Sequence, residues 1–140
     1  MENLTRKEQI LQVSAKLFKE KGFEAASMRD IAKAMGIEAA SLYSHIKSKD
    51  EILETICFKM ADELIKAIDE VNDIYFNAAE KLSLAIKNHV RIITGDLDAS
   101  SVFLREWRHI AKPKLKDFVK LRNRYEDGFT QILVNGENEN

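Results

Sequence analysis

Residues 27–52 read SMRDIAKAMGIEAASLYSHIKSKDEI, and this stretch decides the fold of the first third of the chain. A serine followed three residues later by an acidic residue occurs at Ser27 and again at Ser48, a pattern typical of helix N-termini. Between the two serines, Gly36 ends one short apolar repeat, and a second repeat follows the turn. The stretch therefore predicts two short helices joined by a tight turn and followed by the start of a third.

The same signals continue on both sides of this stretch. Thr5 and Glu8 form another capping pattern, and Ser48 opens a long apolar repeat at helical spacing. One proline and five glycines interrupt the chain little, and the sequence lacks the alternating pattern typical of strands. We therefore predict an all-α fold. The predicted helices cover approximately residues 6–21, 28–35, 39–46, 49–71, 78–94, 99–112 and 115–134.

Composition argues against several classes of protein. The amino terminus, MENLTRKEQI, lacks the apolar segment of a secretion signal, and no apolar run reaches the roughly eighteen residues that a membrane span needs. The single cysteine, Cys57, has no partner for an internal disulfide and no zinc-finger spacing, so we expect a buried thiol in a reducing compartment. The sequence thus predicts a soluble, globular, cytoplasmic protein.

Charge is distributed unevenly along the chain. The net charge is −1 overall, but residues 1–50 carry nine basic and seven acidic side chains, which gives 9 − 7 = +2. Residues 51–140 carry the remaining thirteen basic and sixteen acidic side chains, which gives 13 − 16 = −3. This asymmetry has the sign expected if the first part meets phosphate groups and the second does not.

The third predicted helix, residues 39–46, is too short to be placed for stability alone. If Leu42 and Ile46 face the core, most of the small and polar residues around them face outward. A helix, a tight turn containing glycine and a second helix form the unit that lays its second helix in the major groove of DNA. We therefore expect this helix to recognise DNA.

Residues 10–53, ILQVSAKLFKEKGFEAASMRDIAKAMGIEAASLYSHIKSKDEIL, resemble the N-terminal domain of the tetracycline-repressor (TetR) family of bacterial transcription regulators. The elements that carry the resemblance are AKLFKEKGF, the capped SMRDIA, Gly36, the SLY of the third helix, and KSKDE. The resemblance implies a helix-turn-helix DNA-binding domain at residues 1–48. It further implies a helical body at residues 49–136 for effector binding and possible dimerisation. The polar residues at the end of the sequence separately predict a frayed tail at residues 137–140.

The resemblance also assigns DNA contacts to residues of this chain. In the family, phosphate is contacted by the hydroxyl residue that caps the second helix, the tyrosine of the third helix and the lysine that starts the fourth. These positions correspond here to Ser27, Tyr43 and Lys49. Base edges fall to the first turn of the third helix and to the residues that follow it. The predicted DNA-contact residues are Ser27, Met28, Arg29, Ala39, Ala40, Ser41, Tyr43, Ser44, His45, Lys47 and Lys49.

Other interpretations of these residues remain open at the level of sequence. Tyr43 can instead pack against the first helix, and His45 can pack beside the fourth. Lys47 and Lys49 can both be solvated charges. Glu38 departs from the family pattern, because it is a poor N-cap and repels phosphate unless it accepts a hydrogen bond from a cytosine amino group. The two alanines that follow offer only methyl contacts, so we expect part of the sequence preference to come from DNA shape.

Aromatic and polar residues of the second body form the predicted effector site. The resemblance implies a ligand cavity enclosed by the helices after the fourth, where polar groups beside apolar faces can orient a ligand. The predicted lining is Met60, Leu64, His89, Phe103, Glu106, Trp107, His109, Phe118 and Tyr125. Ordinary core packing is the alternative for each of them. Glu106 and His109 form a single Glu-x-x-His pair without a second copy, so we expect neither a metal nor another cofactor.

These features predict a DNA-binding transcription regulator, a repressor that a small apolar or amphipathic effector releases from a palindromic operator. The sequence contains no arrangement typical of a catalytic site, so no enzymatic function is expected. The family builds its subunit interface from two helices beyond the part matched here, and within this chain we expect possible homodimer surfaces on the last helix, Leu115 to Val134. The alternative is a helical protein-interaction module of the same fold that has lost specific DNA binding through Glu38 and the alanines.

Overall fold

The computed structural model describes residues 3–139, which form α-helices, one 3-10 turn and short connections. No strand occurs within this range, so the predicted all-α fold is confirmed. A 3-10 turn at Trp107–His109 lies between the last two helices. The helices are α1 (Arg6–Lys21), α2 (Met28–Met35), α3 (Ala39–Tyr43), α4 (Lys49–Asp73), α5 (Ala78–Gly95), α6 (Leu97–Arg105) and α7 (Lys114–Glu139).

The predicted capping patterns form at the first two helices. The Thr5 hydroxyl accepts a hydrogen bond from the Glu8 amide at 3.1 Å, while the Glu8 carboxylate accepts one from the Thr5 amide. Ser27 and Asp30 repeat this arrangement at the start of α2, with both distances at 3.0 Å. Gly36 ends α2 with φ of +67°, a left-handed conformation that glycine adopts without steric cost. Local sequence signals therefore set the frame of the first two helices.

The third helix is shorter than the sequence predicts. It ends at Tyr43, and turns rather than helix follow up to the start of α4. Glu38 makes no side-chain capping bond, and the Ser44 hydroxyl donates to the Ser41 carbonyl at 2.6 Å. Serine side chains that bond nearby backbone compete with helix propagation, which is the physical reason for the early end.

The start of α4 also differs in detail from the predicted capping box. The Ser48 hydroxyl accepts from the Glu51 amide at 3.2 Å, as expected. The Glu51 carboxylate, however, accepts from the Lys47 amide at 2.7 Å rather than from the Ser48 amide. The carboxylate therefore ties α4 to the turn that follows α3.

Two predictions about the last helices are wrong. Helix α6 covers Leu97–Arg105, so it begins and ends earlier than the helix predicted at residues 99–112. The predicted frayed tail at residues 137–140 is helical over its described part, since α7 continues to Glu139; Asn140 lies outside the described residues. Both carboxylate oxygens of Glu139 accept from the Ala78 amide at 3.1 Å, a contact between distant residues that helical periodicity does not reveal.

The helices pack into two compact units. The first contains residues 3–57 and Asp98–Leu115, and the second contains Phe58–Leu97 and residues 116–139. In the first unit, α1 packs against α2 and α2 against α3. The predicted functional boundary between residues 48 and 49 is a different kind of division and stays a prediction.

The core of the second unit joins α4, α5 and α7. Its buried members are Ile68, Val71, Ala78, Ala85 and Ile132, with Leu82, Leu84, Tyr125 and Phe129 packed against them. No helix in the described part of the chain is both long enough and apolar enough to cross a bilayer.

Gly128 explains how α7 approaches α4 within this second unit. A Cβ built at Gly128 would lie 2.6 Å from Cγ1 of Ile68. The side-chain amide of Asn72 donates to the Gly128 carbonyl at 3.2 Å. Glycine in a helix interior costs about 1 kcal/mol relative to alanine, and here the absent side chain permits close helix packing. The glycine at position 128 is thus a packing requirement.

Candidate nucleic-acid interface and effector residues

Helix α3 is held by its apolar side and exposes the rest. Leu42 and Ile46 are fully buried, at 0% and 1% exposure, whereas Tyr43 is 53% exposed. The structure places the remaining predicted contacts of this segment at the surface together with Tyr43. These exposed residues are Ala39, Ala40, Ser41, Ser44 and His45. The inward and outward faces predicted from sequence are therefore observed.

The start of α2 contributes a second group of predicted contacts. Ser27 and Arg29 are exposed and Met28 is half-buried. The Ser27 hydroxyl accepts a hydrogen bond from the Asp30 amide as the N-cap of α2. The pKa of Asp30 is lowered chiefly by the hydrogen bond from the Ser27 amide, with smaller contributions from the Ser27 hydroxyl and Lys21. The Asp30 carboxylate is thus held in the capping box at the start of α2.

The two lysines between α3 and α4 differ sharply. Lys47 is exposed, and its side chain extends from the turn after α3. The ammonium of Lys49 instead donates to the carbonyls of Phe23, Glu24 and Ala26 at 2.7, 3.1 and 3.0 Å. An ammonium has three N–H donors, so all of those on Lys49 are used within the protein. Sequence reasoning missed this role, because the partners lie more than twenty residues away.

The predicted effector residues divide between the two units. Met60, Leu64, His89, Phe118 and Tyr125 belong to the second unit. The first unit holds the other four, which are Phe103, Glu106, Trp107 and His109. The role of each group of residues therefore depends on the contacts within its own unit.

The second unit places two of the predicted polar groups together. His89 Nδ1 lies 2.8 Å from the Tyr125 hydroxyl, and the two rings are stacked with centroids 5.8 Å apart. Burial lowers the pKa of His89 and raises the pKa of Tyr125 to about 12. Phe129 packs edge-on against Tyr125, and Phe118 is fully buried. The result is a neutral hydrogen-bonded pair in apolar surroundings.

In the first unit, His109 contacts the loop between α1 and α2, and Glu106 contacts His109. His109 lies 3.4 Å from both the Glu24 and the Glu106 carboxylates, and its ring stacks on Phe23 at 5.7 Å. Glu106 also contributes, after burial, to raising the pKa of the Cys57 thiol to about 12. The structure therefore gives Glu106 and His109 a packing role beside α1 and α2, and Cys57 is buried as predicted.

Comparison with known proteins agrees with this geometry. A family model described as bacterial regulatory proteins of the tetR family matches residues 10–56, and a tetracyclin repressor-like C-terminal domain model matches residues 76–140. The crystal structure of PfmR, a TetR family transcriptional regulator from Thermus thermophilus, is similar with a TM-score of 0.85 and 31% identity. That similarity covers 93% of this chain and 71% of PfmR.

Two curated proteins are similar in sequence. The HTH-type transcriptional repressor KstR2 of Mycolicibacterium smegmatis is 28% identical over 86% of this chain and 58% of the repressor. The fatty acid metabolism regulator protein of Bacillus subtilis is 26% identical over 92% of this chain and 69% of the regulator. The chain thus spans about three fifths of the length of the mycobacterial repressor.

Proposed function

The chain belongs to the TetR family of bacterial regulatory proteins, and from this premise we propose that it is a sequence-specific DNA-binding repressor. The observation that carries the proposal is α3, a five-residue helix anchored by buried Leu42 and Ile46 that exposes its small and polar residues. Such a helix inserts into the major groove, where small residues permit close approach to base edges. Similarity to transcription regulators supports regulation rather than catalysis.

The contacts proposed for this surface follow from exposure and chemistry. The exposed hydroxyl groups of Tyr43 and Ser27 contact phosphate, and exposed Arg29 and Lys47 add charge. Ser41 can bond a base edge, while Ala39 and Ala40 offer methyl contacts such as those made to thymine. The remaining members of the proposed surface are Met28, Ser44 and His45.

A repressor of this kind binds a palindromic operator as a homodimer. Two recognition helices must lie about 34 Å apart to reach successive half-sites, so the function requires a second copy of the chain. Within residues 115–134 we propose the exposed side of α7 as the surface where this chain contributes to dimerisation. Exposed Leu133 and Val134, at 56% and 47% exposure, support an apolar contact near that end of the helix.

The second unit is the proposed effector-binding region. Buried Met60, Leu64 and Phe118 suit an apolar portion of a ligand, and the neutral His89–Tyr125 pair suits a carbonyl, carboxyl or hydroxyl group. The similarity to the fatty acid metabolism regulator protein of Bacillus subtilis supports an amphipathic effector with a long apolar part.

Release would follow from a shift between two conformations. An effector that prefers one position of α4, whose residues Lys49–Asp73 run through both units, changes the fraction of molecules with α3 correctly placed. The other predicted effector residues belong to the first unit, and we propose that they take part in this conformational shift. They are Phe103, Glu106, Trp107 and His109. We further propose that the protein acts in the cytoplasm, where its DNA resides.

Salt dependence of duplex binding tests the DNA-binding proposal. We expect the logarithm of the association constant, measured by fluorescence anisotropy, to fall linearly with the logarithm of the salt concentration, because bound phosphates release counterions. A folded chain that binds no duplex even at low salt would instead support the interaction module of the same fold.

A further inference from the structure

Lys49 has an environment unlike that of a phosphate ligand. Its ammonium donates to three backbone carbonyls of the loop that joins α1 and α2, at 2.7, 3.1 and 3.0 Å. The same ammonium lies 4.4 Å from the centroid of the Phe23 ring, within the range of a cation–π interaction. Four favourable contacts thus hold one charge inside the first unit.

Moving the Lys49 ammonium to a DNA phosphate would cost more free energy in lost contacts than the phosphate contact would recover. Three carbonyl groups would lose a charge-assisted hydrogen bond, and such bonds are about twice as strong as those between neutral groups. Lys47, two residues earlier, is exposed and carries the same charge at the same edge of the first unit. The chain therefore already supplies a cation for phosphate that needs no rearrangement.

The first turn of α4 is tied on two sides. Lys49 binds it to the loop after α1, and the Glu51 carboxylate accepts from the Lys47 amide at 2.7 Å, which binds it to the turn after α3. Ser48 caps the same turn through the Glu51 amide. Together, these hydrogen bonds fix the position of α3 relative to α1 and α2.

We infer that Lys49 is a positioning residue for the recognition helix and that its ammonium makes no phosphate contact. It acts through the carbonyls of Phe23, Glu24 and Ala26, which it holds against the start of α4. This inference rests on the proposed DNA binding, and it removes Lys49 from the phosphate contacts expected from the family resemblance.

The slope of binding against salt separates the two roles. Each lost phosphate contact makes the slope shallower by about 0.9 on logarithmic axes. We expect Lys47→Met to show that change with an unaltered Tm. We expect Lys49→Met to lower both Tm and the affinity at every salt concentration, on the order of tenfold, with the slope unaltered. A shallower slope for Lys49→Met with an unaltered Tm would overturn the inference.

The conservative variant Lys49→Arg separates the positioning role from the phosphate-contact role in a second way. Arginine binds phosphate at least as well as lysine does, but its planar fork cannot place three N–H groups on the carbonyls that Lys49 joins. We expect Lys49→Arg to bind DNA as poorly as Lys49→Met. Recovery of wild-type affinity by Lys49→Arg would contradict the positioning role.

The unaltered protein provides a test if the variants fail to fold. With lysine nitrogen-15 labelling, we expect NMR to show slowly exchanging ammonium protons for Lys49 before DNA is added and the same chemical shift afterwards. An ammonium signal that emerges only with DNA would refute the inference. Absence of any duplex binding by the wild-type chain is a distinct result, since it removes the proposed function itself.

Discussion

Tyr43 is the residue whose exposure most directly connects α3 with DNA. Its side chain is 53% exposed although its neighbour Leu42 is fully buried. We expect Tyr43→Ala to weaken binding to all duplex sequences alike, on the order of tenfold, because a hydrogen bond to a charged phosphate contributes about 1.5 kcal/mol. Affinities for a matched set of single-base duplex variants would measure this.

Tyr75 offers the control for that substitution. It is fully exposed and belongs to the second unit, so Tyr75→Ala removes a surface tyrosine of the same kind. We expect its duplex affinity to equal that of the wild type. An effect of Tyr43→Ala confined to one base position would show that Tyr43 reads a base rather than phosphate.

His89 gives the second unit a dependence on pH with a definite sign. Burial lowers the pKa of His89 below its ordinary 6.5, so the unfolded chain takes up this proton first as the pH falls. The contribution to stability is fully present above about pH 6.5 and is lost as the pH falls through the lower pKa of the folded state. We expect urea unfolding to show less loss of stability on acidification in His89→Gln than in the wild type.

The comparison needs a control for histidine loss in general. His45, exposed after α3, serves this purpose as His45→Gln. Equal losses of stability in the wild type and in His89→Gln, between about pH 7.5 and about pH 5.5, would show that the His89–Tyr125 pair does not govern this region of the pH curve.

At the scale of elements, Gly128 tests how α7 packs on α4. An alanine Cβ there would lie 2.6 and 2.9 Å from the two γ-carbons of Ile68, closer than van der Waals contact allows. We expect Gly128→Ala to destabilise the fold by about 1 to 3 kcal/mol despite alanine's higher helix propensity. Chemical denaturation measures the difference.

Gly95 is the matched control, because a Cβ at Gly95 meets nothing within 4 Å. Gly95→Ala should leave stability unchanged or slightly raised. In a double-mutant cycle, Ile68→Ala should cost less in the Gly128→Ala background than in the wild type, since it removes both clashing carbons. Full additivity would mean that α7 does not approach α4 at this point.

The elements predicted from sequence are those specified by neighbouring residues. The capping pairs at Thr5 and Ser27 act over three residues, so their sequence pattern suffices to place them. The end of α3 at Tyr43 and the extension of α7 to Glu139 depend on bonds that helical periodicity does not encode. Lys49 is the clearest case. Its position in the sequence predicted a phosphate contact, whereas its carbonyl partners are distant in the sequence and approach it only in the folded chain.

At the scale of the whole molecule, the sequence predicted the fold class and the family but not the grouping of the effector residues. Helical spacing shows which face of a helix is buried and leaves open which helix covers it. His89 and Tyr125 do meet, 36 residues apart. His109 instead packs with Phe23 and Glu24 beside α1 and α2 and contacts Glu106, so this part of the prediction could only be resolved by the fold.

Selection of bound sequences from a random duplex library tests the central claim most directly. The purified chain, shown to be folded by circular dichroism, would be allowed to retain duplexes over successive rounds, and these would be sequenced. We expect one short motif to be enriched, present as two inverted copies where two chains bind together. A folded chain that enriches no sequence over the starting library would contradict the claim that α3 reads DNA.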